Sequence, residues 1–436
     1  MQIMSFNNPR REVPSLQVGD ERRNFSRGEI VVIPTRYYET MKRTAKYRMY
    51  PNKTQKRTLS DTLAVCCSIY NTCLEQRKML LGDRNKRISR TEQQNQLTEA
   101  AREDPYLKKV HSQVRQDPTF RVQRAFDGFF RRVADPKCKN PGYPRFKSRR
   151  RYDSFTYPQA TGFDIRTTRK RHAKLRLGKI GSINIRYHRP VPEDATLKTC
   201  TVRRKNGRWY ACITYELPDV PVRDDLPEPV GIDVGLENLF ALPNGYLQEN
   251  PRHYREAEAR LRIEQRKTRR MRKGSSNWNK QQRKVAILQE KTASRRHDNL
   301  HKITRKLVDT YPYIKVERLR IDNMKRNHKL AKSISDASWG TLFFMLDYKA
   351  EGAGGLVERV DPRGTSQTCP CGEPVPKELK DRVHRCKRCG FTADRDVASA
   401  MVIGSRVGTT RLARGGDGDP TSVGVTSSEK REAPSL

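Results

Sequence analysis

Acidic residues are scarce in this 436-residue chain: 49 Asp and Glu stand against 90 Lys and Arg, a formal net charge of +41. Self-repulsion of that size opposes compaction and excludes an ordinary metabolic enzyme. It calls for a polyanion, and nucleic acid is the natural one, because each neutralised phosphate releases a condensed counterion. Long apolar runs are missing too. No stretch of 18 or more apolar residues occurs, so no membrane-spanning helix is expected. The opening MQIMSFNNPRREVPSL lacks the continuous apolar segment of a secretory leader, so secretion is not expected and a cytoplasmic protein is. Hydrophobic residues make up only 34%, yet that suffices for a core and excludes a purely disordered basic tail. Cys66, Cys67, Cys73, Cys138, Cys200 and Cys212 are scattered, and only the last four of the ten cysteines cluster. Reduced thiols fit that pattern better than a disulfide framework.

Length alone suggests about three domains. Residues 1–41 read as a flexible extension, with Pro9, Pro14 and Pro34 among many charges. KYRMYPNKTQ alternates like a strand and stops at Pro51, so residues 42–54 open a β-structure. From Gln55 the period becomes helical. Leu59, Leu63, Cys66, Cys67, Tyr70 and Leu74, then Val122, Ala125, Phe126, Phe129, Phe130 and Val133, form apolar stripes that predict a helical segment over 55–135. Strand text resumes across 136–226, with an Asn206-Gly207 hairpin turn. This order predicts a β-barrel interrupted by a helical insertion. A new unit spans 227–364, with strands around Asp233 and residues 313–321 and long helices over 251–306. A cysteine insert occupies 365–392, a helix opens within 393–405, and a Gly/Ser/Thr-rich tail, read as disordered, fills 406–436.

Three acids stand in unusual surroundings. Asp233 lies in the strand text GIDVGLENL, Glu317 follows YIKV, and Asp396 opens the helix DRDVASA. Carboxylates are depleted from strand interiors because burying an unpaired charge is costly. Two acids at strand edges plus one on a helix make a cage of hard oxygens suited to two Mg²⁺ ions, or Mn²⁺, in phosphodiester cleavage. Taken singly, each has a plainer role: Asp233 as a turn cap, Glu317 as a partner for Arg318 or Arg320, Asp394 or Asp396 as a helix N-cap.

Cys369-Pro-Cys371 and Cys386-Lys-Arg-Cys389, 14 residues apart, have the spacing of a closed structural Zn²⁺ ribbon. His384 is close enough to be an alternative ligand, and metal-free thiols are the plainer reading. Residues 251–306 carry 19 Lys and Arg against 5 Asp and Glu, which points to phosphate-backbone binding rather than a merely solvated face. Candidate nucleic-acid contacts are Lys46 and Tyr50, then Arg145, Lys147 and Arg149, then Arg266, Arg269, Arg270, Arg272 and Lys273. Tyr152, Phe155, Tyr157 and Phe163 interleave with cations and are weaker candidates for base contact, as is Trp278.

GIDVGLENL, IKVERLRIDNM, the cysteine ribbon and DRDVASA, in that order, resemble the split RuvC domain of TnpB (OrfB) proteins, transposon-encoded relatives of the type V CRISPR effectors. SISDASWG, RVDPRGTSQTCPCG, KYRMYPNKTQ and NPGYPRFKSRR also resemble family text, and the likeness covers roughly residues 42–405. The resemblance implies an α+β multidomain protein: an RNase H-like (RuvC) nuclease domain with an inserted zinc ribbon, and an N-terminal β-barrel wedge interrupted by a helical recognition insertion. It also implies a prokaryotic, nucleoid-associated RNA-guided DNA endonuclease, one protein on one transposon-derived guide RNA with double-stranded DNA as target beside a short adjacent motif, in which Asp233, Glu317 and Asp396 are the catalytic acids. The chain departs from the family in its short Cys-Pro-Cys knuckle, in Ala398 where Asn is frequent, and in its first forty residues. Two other readings stay open: a guided repressor that does not cut, which the intact acidic trio disfavours, and a transposase or resolvase that needs no RNA.

Overall fold

The computed structural model describes residues 41–84, 87–378 and 381–408. The expected extension, Met41 apart, and the tail from residue 409 lie outside them. Among the described residues, no helix is long and apolar enough to cross a membrane.

Strand β1 (Met41–Tyr50) buries Met41, Ala45, Tyr47 and Met49. Pro51 ends it, and Asn52 caps the helix beyond: its side chain accepts from Gln55 N at 2.8 Å, while the Gln55 side chain accepts from Asn52 N at 3.0 Å. This reciprocal pair satisfies two orphan donors and starts α1 (Lys53–Arg84). Next along the chain are α2 (Arg90–Glu103), α3 (Pro105–Lys108) and α4 (Ser112–Val133). Pro118 lies inside α4 and cannot donate to the carbonyl of Val114. The Cys66 thiol of α1 donates to that carbonyl at 3.8 Å. Helix α4 is also tied to the sheet, since Asp117 accepts from Thr156 N at 3.0 Å and pairs with Arg121 at 2.8 Å. The helices are therefore an insertion packed on the sheet that β1 begins.

That sheet continues with β2 (Ser154–Tyr157), β3 (Phe163–Arg169), β4 (His172–Leu177), β5 (Gly181–Arg186), β6 (Thr196–Lys205) and β7 (Arg208–Leu217), in the spatial order β2-β6-β7-β1-β5-β4-β3. All its ladders are antiparallel. A flat sheet of this order would be about 29 Å wide. Its two edges are joined by residues 158–162 alone, a link that reaches at most about 21 Å, so the sheet must curl. Gly178 N donates to Gly162 O at 2.9 Å and Tyr157 Oη to Gly178 O at 2.8 Å, lacing the seam without a ladder. The expected barrel is thus a curled sheet, open in its strand pairing between β2 and β3. Tyr152, Phe155, Tyr157 and Phe163, expected from sequence as weaker base contacts, are at most 4% exposed and form its core. They point inward while the alternating cations point out.

The second half begins with β8 (Val230–Ile232), β9 (Asn238–Ala241) and β10 (Leu247–Glu249), followed by α5 (His253–Arg269) and α6 (Ser276–Thr310). After β11 (Tyr313–Glu317) come α7 (Ile321–Met324), α8 (Ala331–Ala337), α9 (Trp339–Glu351) and β12 (Leu356–Val360). The ribbon strands β13 (Val383–Arg385) and β14 (Thr392–Asp394) lead into α10 (Arg395–Ser405). Strands β12-β11-β8 form a parallel sheet, and a bridge between Asp233 and Ala241 ties the β9-β10 hairpin to the end of β8. The two halves meet at the predicted hairpin turn. Asn206 and Gly207 adopt φ of 50° and 73°, and Arg283 of α6 donates to Asn206 O at 3.1 Å.

Helix α10 lies directly on β8. A Cβ on Gly231 would stand 2.0 Å from Ala400 O and 2.4 Å from Gly404 N, so only glycine permits this approach. Buried Lys315 holds the far end of the helix, donating to Gly404 O at 3.2 Å and Arg406 O at 2.7 Å, where the helix dipole favours a cation. Gly231→Ala is expected to lower unfolding stability by about 1–3 kcal/mol, measured by chemical denaturation. A substitution without effect would show that the helix can shift freely.

Candidate metal and nucleic-acid sites

The last register pair of β8 and β11 is Ile232 with Val316. Asp233 and Glu317 are the next residue on each strand, so two acids meet at the carboxyl edge of a parallel sheet, where open α/β sheets bind ligands. Helix α10 brings the third. Asp394 caps it by accepting from Asp396 N at 2.8 Å, which leaves the Asp396 carboxylate on the side of the Asp233 loop. A Cβ on Gly235 would be 3.6 Å from Asp396 Oδ2. The structure therefore brings Asp233, Glu317 and Asp396 to one place.

The surroundings of Asp233 and Glu317 oppose ionisation. Burial, and then the charges of Glu317 and Asp396, hold the Asp233 carboxyl well above the usual carboxylate range, with Arg395 working the other way. Burial raises Glu317 as well, against the Thr365 hydroxyl and Arg406. Thr365 Oγ1 donates to Glu317 Oε1 at 2.5 Å, and Arg395 Nε stands 3.2 Å from Asp396 Oδ1. The oxygens of the three acids are not all within 4.8 Å of one another. Hard carboxylate oxygens, only partly offset by Thr365, Arg395 and Arg406, are the donor type that hard divalent cations take.

The cysteines form the second cluster, and all four sulfurs lie within 4.8 Å of one another. Cys369 Sγ is 3.6 Å from Cys389 Sγ, and Cys371 Sγ is 3.8 Å from Cys386 Sγ. A tetrahedron with metal–sulfur bonds of about 2.3 Å has edges of about 3.8 Å. The four thiols can hold a metal such as zinc, and the short Cys-Pro-Cys knuckle does not prevent it. His384, the alternative ligand, is fully buried against Phe391 and lies outside the cluster.

The predicted nucleic-acid residues fall on three surfaces. Lys46 lies 4.4 Å over the Tyr210 ring, and exposed Tyr50 lines a cavity of about 460 Å³ with Arg171, His172 and Arg186. Arg145 and Lys147 line a second cavity of about 540 Å³ with Arg124, Arg131, Arg132 and Arg151, while Arg149 is exposed nearby. Lys147 is half structural, its ammonium 4.6 Å over Tyr70 and 5.5 Å over Tyr152. Arg266, Arg269, Arg270, Arg272 and Lys273 are exposed at the α5–α6 turn. Arg150 donates to Asn279 Oδ1 at 2.6 Å, which places the second and third surfaces side by side. Sequence reasoning missed Arg124, Arg131 and Arg132. They alternate with the Phe126–Phe130 stripe, and a count of cations on the reverse helix face would have found them. Thr365 was missed as well, and a lone threonine in a loop carries no such signal.

Residues 212–328, which include Asp233 and Glu317, match the profile of a family described as "Probable transposase". Residues 339–403, which include the four clustered cysteines and Asp396, match "Cas12f1-like, TNB domain". Residues 41–86 match a profile described as "Helix-turn-helix domain", although Met41–Tyr50 is a strand and Lys53–Arg84 one continuous 32-residue helix. A relative from Streptomyces pristinaespiralis named "Putative RNA-guided DNA endonuclease" is 35% identical over 84% of this chain and 89% of its own. Another from Escherichia coli (strain K12), "Putative RNA-guided DNA endonuclease InsQ", is 30% identical over 82% and 90%. In fold, the chain is similar to the protein in a cryo-EM structure of a Cas12f1-sgRNA-target DNA complex, with a TM-score of 0.52, 14% identity, and coverage of 84% of this chain and 99% of that one. Identity of this degree, spread over more than four-fifths of both relatives and of this sequence, places the chain in the TnpB (OrfB) family.

Proposed function

We propose that this protein is an RNA-guided DNA endonuclease that cuts by metal-dependent phosphodiester hydrolysis in a single RuvC-type site. One observation carries the reading: Asp233 and Glu317 occupy matched positions at the carboxyl ends of two neighbouring parallel strands, with Asp396 set against Asp233. Relatives named as RNA-guided DNA endonucleases support it. The strand order, with β9-β10 antiparallel on one side of β8 and β11-β12 parallel on the other, supports an RNase H-like nuclease domain over 227–364 and 393–405. The curled sheet supports a wedge over 42–54 and 136–226, holding a recognition insertion over 55–135. Guide RNA and double-stranded target DNA are the polyanions that the +41 charge requires. Base pairing reads the sequence, so the protein needs a basic channel more than a base-reading helix. One protein on one RNA is the expected assembly.

Asp233, Glu317 and Asp396 would hold the divalent cations, Mg²⁺ or Mn²⁺. Bound there, such ions supply Lewis acidity at the scissile phosphate and lower the pKa of water. The carboxylates orient them, and the protons that Asp233 and Glu317 retain at low pH must leave first. The basic surfaces around Arg145 and Arg269 neutralise the strands, and the ribbon cysteines would hold Zn²⁺ as a closed structural site.

The first test expresses the protein with its flanking genomic DNA and sequences the RNA that copurifies. A discrete RNA with a constant scaffold and a variable end supports the guided reading. Cleavage with no bound RNA would move the assignment to a transposase or resolvase. Asp233→Ala and Glu317→Ala are expected to abolish Mg²⁺-dependent cleavage in a plasmid assay and to leave RNA and target binding intact; retained cutting in either would sink the site assignment.

Because the folded pKa of Asp233 lies above its unfolded value, the native state holds the proton more tightly. Stability then falls as pH rises from the ordinary carboxylate value, about 3.9, toward the folded one. At neutral pH in EDTA, Asp233→Asn is therefore expected to melt a few degrees above the wild type. Added Mg²⁺ should raise the wild-type midpoint and leave the variant unmoved. For the ribbon, elemental analysis is expected to find one zinc per chain and almost none in Cys386→Ser, with faster hydrogen exchange over 365–394.

A further inference from the structure

The cysteine ribbon touches the acidic site at both of its ends. On the way in, Gly364, at φ +71°, opens a single 3₁₀ turn at Thr365–Gln367. Thr365 is 4% exposed, and its hydroxyl donates to Glu317 Oε1 at 2.5 Å, with a longer contact of 3.1 Å to Pro362 O. The same turn is stitched into the first cysteine knuckle: Val375 N donates to Gln367 O at 2.8 Å, Lys377 Nζ to Ser366 O at 2.9 Å, and Cys369 N to Glu373 O at 2.8 Å. On the way out, β14 pairs with β13, and its last residue, Asp394, caps α10. Arg395 N donates to Arg382 O at 2.7 Å, and its Nη1 to Asp381 O at 3.3 Å, both in the ribbon. Its Nε faces Asp396 Oδ1 at 3.2 Å.

We propose that Thr365 and Arg395 are positioning residues through which the ribbon sets the orientation of Glu317 and Asp396 for cation binding. The inference rests on the nuclease reading for what the cations do, but not for where they bind. Glu317 lies at the end of a strand, and its carboxylate still has to be turned toward Asp233 against mutual repulsion. A buried hydroxyl bonded to one oxygen sets that orientation without adding charge. Arg395 performs the same task for Asp396 while offsetting part of the negative field at Asp233. Groups that orient metal ligands are worth roughly 10–100-fold in metal affinity or activity.

The test uses the full chain with its copurified RNA and titrates Mn²⁺ by electron paramagnetic resonance, alongside cleavage rate, RNA retention and melting temperature. Thr365→Val, nearly the same shape without the hydroxyl donor, is expected to weaken Mn²⁺ binding and slow cleavage by roughly tenfold or more. Thr365→Ser, which keeps the hydroxyl, should stay within about threefold of wild type, and RNA retention should be unchanged in both. Arg395→Gln, with its contacts to Asp396 and the ribbon weakened, should lose Mn²⁺ affinity in the same way. Thr365→Val binding Mn²⁺ as the wild type does would overturn the inference, and so would Thr365→Ser failing as badly as Thr365→Val. A wild-type protein that binds Mn²⁺ and cuts nothing would overturn the nuclease reading alone. The difference in Mn²⁺ affinity between the two threonine variants would still decide the positioning role.

Discussion

Burial of carboxylates is the constraint around which the second half of this protein is arranged. In a chain with so large a cationic excess, the cheapest place for acids is beside arginines and lysines on the surface. Asp233 and Glu317 are instead drawn to the edge of a parallel sheet, where burial raises both and the neighbouring charges raise Asp233 further. Holding them there requires the register of β8 with β11, the glycine contact that lets α10 settle on β8, and the lysine that secures the far end of that helix. The hydrophobic cluster under the sheet, with Ile232, Ile314, Val316, Leu342 and Leu346 buried, offsets part of that cost.

The acids were legible because carboxylates next to apolar strand text break a local rule, and such breaks concentrate where chemistry is done. The cysteines were legible from spacing alone. The helical insertion could be read from the change of period at Gln55 and back again after Val133. What escaped has a common cause. Alternation of aromatic and cationic residues says that a strand has two faces, but not which face a curled sheet turns inward, so Tyr152, Phe155, Tyr157 and Phe163 were offered to nucleic acid and are core. The open seam between β2 and β3 depends on a five-residue link, not on any strand. Thr365 matters through one hydrogen bond to a residue 48 positions away, and no local pattern encodes that.

The basic surfaces do two jobs at once. Lys147 over Tyr70 and Tyr152, and Arg132 clasping the carbonyls of Pro141 and Gly142, hold the Pro/Gly-punctuated link against α1 and α4. Arg145 and Arg149 on the same link face solvent. Cation–π stacking anchors the stem of such a segment at little cost in hydration. The backbone that carries the neighbouring exposed guanidinium groups is thereby held in place.

The close contact of Gly231 with Gly404 also makes α10 a lever. Its fulcrum is at the C-terminal end, eight residues from Asp396, or about 12 Å along the axis. A tilt of only about 5° around that point would carry the carboxylate about 1 Å, a misplacement that can cost a reaction about a hundredfold. Small disturbances beneath the helix, far from any phosphate, are thus felt at its tip, and the tolerances of the site are set both where the two glycine backbones touch and where the ribbon holds Arg395.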